Sequence, residues 1–75
     1  MEELTEIDAR GLRCPLPVLR AQKALRALPP GALLRLLADD PMARIDLPHF
    51  CAEAGHALLS TEEVGSAFRF LIRRG

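Results

Sequence analysis

Apolar and polar residues change period several times along the chain, and each change marks an element. In LTEIDA (residues 4 to 9), Ile7 and Ala9 alternate with polar neighbours, which predicts a short strand that Gly11 then breaks. Val18, Ala21, Leu25 and Leu28 recur at helical spacing and predict a first helix over 15–28, with Arg20, Lys23 and Arg26 on another face. LPPG (28–31) stops that helix, and ALLRLLA (32–38), leucine-rich but short and punctuated at both ends, reads as a buried strand. In ADDP (38–41), Asp40 suits a cap and Pro41 the first position of a second helix. Pro48 interrupts that pattern, so a first turn is expected, followed by the main helix over 47–54 with Gly55 as its C-terminal cap. HALLSTEE (56–63) and SAFRFLIRR (66–74) alternate as two strands joined through Val64-Gly65. The order is β-α-β-α-β-β, which suits one sheet with two helices on one face.

Seventy-five residues make a single domain, residues 1–75, with a modest core and no room for a deep enclosed cavity. Chemistry must therefore sit at the surface or at a partner's interface. Ten basic and ten acidic residues balance, which argues against direct nucleic-acid binding. The balance is uneven along the chain: residues 9–38 carry Arg10, Arg13, Arg20, Lys23, Arg26 and Arg35 and no acid. No signal-like segment or membrane-length apolar run occurs, and two cysteines are too few for a disulfide scaffold, so a cytoplasmic setting with reduced thiols is expected.

The chemistry concentrates in GLRCPLP (11–17). With Cys14 as the cap of the first helix and Pro15 at its first position, the sulfur would face the positive end of the helix dipole, leaving the Leu16 and Val18 amides available. Arg13 and Arg10 would add to that field, and such surroundings lower a thiol's pKa. The competing reading makes Cys14 a small cap residue in a turn. Position 17 is Pro17, so this is not a C-x-x-C redox pair, and the chain is too small to form a protease cleft. Cys51, beside Phe50 and Ala52, reads as a buried structural thiol or as a resolving partner for Cys14. His49 and His56 lack a metal-ligand spacing with Cys51, so no metal is expected. Asp39 and Asp40 read as a cap rather than an acid–base pair, and Arg73-Arg74 as a solvated strand end or an aid to docking an acidic partner or RNA.

DARGLRCPLPVL, ADDPMARIDLPHFC and the closing FRFLIRRG resemble the TusA/SirA family of small sulfur carriers, over about residues 7–74. The resemblance implies a two-layer α/β sandwich with a mixed four-stranded sheet, similar to the C-terminal domain of bacterial translation initiation factor 3. It implies that Cys14 carries a persulfide within a frame set by Pro15 and Pro17, and that no cofactor is needed. A cysteine desulfurase would load the sulfur after meeting the basic surface of Arg13, Arg20, Lys23 and Arg26, and a downstream acceptor protein would take it. Asp40 and Arg44 fall in the family's ADDP region and are candidate partner contacts. Members tied to tRNA thiolation often carry an acid between the two prolines, where this chain has Leu16, which weakens an assignment to 2-thiouridine synthesis; delivery for molybdenum cofactor or sulfur oxidation remains open. The contrasting class is a non-catalytic regulatory or RNA- or protein-interaction module in which Cys14 is incidental.

Overall fold

Residues 4–75 are described by a computed structural model. The order is β1 (Leu4–Asp8), α1 (Leu16–Arg26), β2 (Leu33–Ala38), α2 (Ala43–Ala54), β3 (Ala57–Val64) and β4 (Ala67–Arg73). The sheet runs β1-β2-β4-β3. β1 lies parallel to β2, while β4 lies antiparallel to both β2 and β3, so the sheet is mixed.

Register decides what the sheet buries. Leu34 opposite Ile72 and Leu36 opposite Phe70 put four large side chains on one face, all fully buried. Ala21 and Leu25 of α1, with Ala43, Leu47 and Cys51 of α2, close over that face and complete the core. Burying a side chain of Leu, Ile or Phe size contributes about 1.5–3 kcal/mol each, so this shared face is the main source of stability. The opposite face, with Glu6, Arg35, Arg69 and Glu62, is charged; Arg35 pairs with Glu6 across β1 and β2, and Arg69 lies 3.2 Å from Glu62 across β3 and β4.

Two boundaries depart from the sequence pattern. α1 starts at Leu16 with Pro15 as its N-cap residue, so Cys14 lies outside the helix and caps nothing. α2 runs unbroken from Ala43 through Pro48 to Ala54, instead of breaking before Leu47. A proline removes one backbone donor, here the one that would reach the carbonyl of Arg44, and the helix keeps its other rungs because Ala43 and Leu47 are packed below it. Gly55 ends the helix as expected, with φ +80, and the amide of His56 donates to the Cys51 carbonyl at 2.9 Å.

Candidate functional site: a thiol clamped between two helix starts

The segment between β1 and α1 is fixed by the far end of β2. The Ala9 amide donates to the Leu37 carbonyl at 2.7 Å, continuing the parallel ladder one residue past β1. Gly11 then turns the chain at φ +82, a conformation that side chains other than glycine's disfavour. Its amide donates to Asp39 Oδ1 at 2.9 Å, and the Cys14 amide donates to Asp40 Oδ2 at 2.7 Å. Leu12, between them, packs against the core. Neighbouring aspartates thus staple both ends of the Gly11–Cys14 loop to the exit of β2.

Asp40 has a second task. Its Oδ1 accepts the Met42 amide at 3.1 Å and its carbonyl accepts the Ala43 amide at 2.9 Å. The expected cap therefore exists, but it shapes the turn leading into α2, whose N-cap residue is Met42 and not Asp40. One carboxylate, 7% exposed, joins the thiol loop to the start of α2. The amides of Cys14 and Met42, in that order, hold its pKa below the ordinary carboxylate value, and the charge of Arg13 helps.

Cys14 is exposed, and its thiol donates to Asp46 Oδ2 at 2.8 Å. Asp46 is the acid of the first turn of α2. That hydrogen bond, followed by partial desolvation and the negative charges of Asp46 and Asp40, pushes the thiol's pKa up. The lowered pKa expected from the sequence is overturned. The charges near Cys14 along the chain are basic, whereas folding brings in acids from residues 40 and 46. Arg10 is turned away: its guanidinium grips Asp8 at 2.8 and 2.9 Å and draws that carboxyl down to about 2. The Leu16 amide is also taken, donating to the Arg13 carbonyl at 2.7 Å.

The two prolines bracket the helix start differently. Pro15 is exposed and joined to Cys14 by a cis peptide bond, while Pro17 is fully buried and anchors the first turn of α1. Leu16 and Leu19 of α1, with Met42 and Ile45 at the start of α2, are all exposed. They put apolar surface on both helix starts that frame the thiol, a feature that single-element periodicity did not isolate.

Arg13 is exposed beside the thiol. Arg20, Lys23 and Arg26 are exposed along α1 and form no ion pair among the described residues. Arg44 is brought elsewhere: its guanidinium lies 5.2 Å from the centroid of the Phe68 ring and 3.7 Å from Glu63, which ties it to the β3–β4 hairpin. Cys51 is 2% exposed within the core, and desolvation raises its pKa, as suits a structural thiol. His49 lies 3.0 Å from Glu53 on an exposed helix face, whereas His56 accepts the Gly75 amide at 3.0 Å. Arg74 is no solvated end; its Nε donates to the Leu25 carbonyl at 2.7 Å and pins the sheet to the last turn of α1. A groove of about 390 Å³ lies on the charged face of the sheet between Glu6, Asp8, Arg35 and Arg69, and the thiol loop contributes nothing to it.

Asp46 was missed in the sequence. It carries no local signal beyond being an acid in a first helical turn, and its partner lies 32 residues away.

A family model described as Sulfurtransferase TusA matches residues 5–74. Among solved structures, a SirA-like protein from Desulfitobacterium hafniense is 31% identical, with 97% of this chain and 99% of that chain covered and a TM-score of 0.83. Among the described residues, no helix is long and apolar enough to cross a membrane.

Proposed function

Since the chain belongs to the TusA family of sulfur-transfer proteins, we propose that Cys14 is the residue that carries the sulfur, as a persulfide received from a cysteine desulfurase and passed to a downstream acceptor protein. The observation behind this reading is the contrast between the two cysteines. Cys14 is exposed on a loop stapled at both ends, and Cys51 is sealed in the core. A carrier must offer its sulfur to one protein after another, which a surface thiol on a fixed mount does and a core thiol does not.

Loading is a thiol exchange without net oxidation. The Cys14 sulfur attacks the outer sulfur of the donor's persulfide, and the new S–S bond forms at Cys14. The donor's S–S bond breaks, its inner sulfur leaves as a thiolate, and the proton given up by Cys14 ends there. Delivery repeats the exchange, with the acceptor's thiolate attacking the outer sulfur and Cys14 as the leaving group. The exposed apolar residues Leu16, Leu19, Met42 and Ile45 supply a docking rim around this exchange, and the basic face of α1 supplies longer-range attraction. Leu16 puts an uncharged residue between the prolines, which favours acceptors other than the tRNA-thiolation partners that an acidic residue there would suit.

The test is intact-mass analysis after incubation with a cysteine desulfurase and L-cysteine. The wild type should gain one sulfur atom and Cys14→Ser none. A Cys14→Ser variant that still gains sulfur, or a wild type that gains none from any desulfurase of its own cell, would overturn the assignment.

A further inference from the structure

The charged groups around the sulfur are not equivalent. From the end of β2, Asp39 is bonded to the Gly11 amide, and Asp40 to the amides of Cys14 and Met42. From α2, Arg44 is turned toward Glu63 and Phe68. From the thiol loop itself, Arg13 is exposed and its charge acts on Asp40. Asp46 hydrogen-bonds to the sulfur, at 2.8 Å, and it forms no ion pair among the described residues. A carrier thiol held against an unpaired carboxylate is in its least nucleophilic form, because the thiolate would face a negative charge at contact distance.

The geometry points to Asp46 as a latch: in the free protein its carboxylate keeps the Cys14 sulfur protonated, and a docking partner opens the latch by bringing a cationic side chain to that carboxylate. This deepens the reading of Cys14 as the sulfur-bearing residue and rests on it. Pairing the carboxylate with a cation cancels the charge facing the sulfur, so the thiolate becomes accessible only where a partner is seated. The proton then follows the path of the exchange, from Cys14 to the departing sulfur of the donor. Between encounters, the latch slows alkylation and oxidation of an exposed thiol that must travel through the cell unspent. The surface that loads or unloads this carrier should therefore present a lysine or arginine opposite the first turn of α2, inside a rim that meets Leu16, Leu19, Met42 and Ile45.

Charge-tagged electrophiles replace the partner in the test. Two methanethiosulfonates, one carrying trimethylammonium and one carrying sulfonate, each transfer their thio group to a thiolate and release methanesulfinate. Their rates are measured at Cys14 in the wild type, Asp46→Asn and Asp46→Glu, with iodoacetamide as the uncharged reference. In Asp46→Asn, iodoacetamide should react faster at neutral pH and its rate profile should shift to lower pH. The gain should be roughly threefold for each unit the thiol falls, since a less basic thiolate is also a weaker nucleophile. The preference for the cationic over the anionic reagent should drop by roughly two- to fivefold, the scale of a partly exposed ion pair. Asp46→Glu, which keeps the charge, should retain most of that preference.

In parallel, desulfurase loading of Asp46→Asn should show a raised KM without a fall in kcat, and an unchanged KM would overturn the pairing of Asp46 with a cation of the desulfurase. An unchanged iodoacetamide profile would overturn the latch, and an unchanged charge preference would overturn its opening by a cation. Failure of the wild type to gain sulfur would count against Cys14 as carrier, while the reagent rates would still report on Asp46.

Discussion

Replacing Cys51 tests whether a buried thiol contributes only to packing or also to the proposed sulfur relay. The residue is 2% exposed and packs into the core that Leu47 shares with α1 and the sheet. Cys51→Ala removes one buried heavy atom and leaves a small void, a loss of about 1 kcal/mol on the scale of a buried methylene plus its cavity. Cys51→Ser keeps the volume but buries a hydroxyl, which costs about 1–3 kcal/mol unless it finds a carbonyl to bond. A domain of 75 residues has a total stability of about 4–11 kcal/mol. Either change is therefore a sizeable fraction of what holds the fold. For a chain this short, each kcal/mol moves Tm by about 4–8 °C. Scanning calorimetry should place Cys51→Ala about 4–8 °C below the wild type and Cys51→Ser lower still. Both variants, assayed well below their Tm, should gain one sulfur at the wild-type rate. A folded Cys51→Ala protein that loads poorly would make Cys51 part of the relay instead; unchanged Tm in both variants would contradict its place in the core energetics.

Asp40→Asn tests the joint between the thiol loop and α2. The folded-state pKa of Asp40 lies below its ordinary 3.8, so its ionised form stabilises the fold above that value and the contribution disappears as pH falls through the lower, folded value. The variant should lose stability at pH 7, and its deficit relative to the wild type should shrink as pH is lowered below 3.8, read as urea midpoints; a deficit that does not change with pH would contradict the charge-based account. Reversing Arg20 and Lys23 to glutamate should slow sulfur loading and flatten its dependence on ionic strength, because a basic face steers an acidic partner through a field that salt screens. Loading that is equally fast and equally salt-sensitive would leave these side chains as ordinary solvated charges.

Strand and helix order was legible because each element carries its own period. The alternation in 66–74 and the helical stripe Val18, Ala21, Leu25 and Leu28 report local geometry, and the core they imply is the one the fold builds. What the residues left open arose from contacts between elements. Pro48 looked like a break because the packing of Ala43 and Leu47 that sustains α2 around it is tertiary. Arg74 looked solvated because its acceptor, the Leu25 carbonyl, is 49 residues away. ADDP was readable as a cap, but not as a clamp, since the amides of Gly11 and Cys14 that fill its carboxylates come from a segment some 26 to 28 residues earlier.

The same separation explains why the thiol's electrostatics were read with the wrong sign. Along residues 9–38 every charge is positive, and a helix start follows the cysteine, so a field favouring the thiolate was a sound local inference. Field strength at an atom falls with distance in space and not along the chain, and a carboxylate 2.8 Å from the sulfur outweighs exposed arginines that water screens. The fold needs those acids for its own reasons: Asp39 and Asp40 terminate β2 by collecting the amides of a loop that has no strand or helix to satisfy them. Once that loop is tied to the entry of α2, the first turn of α2 faces the cysteine, and an acid there is favoured by the helix N-terminus as well as by the thiol. A raised thiol pKa and a rigid mount are thus two results of one connection.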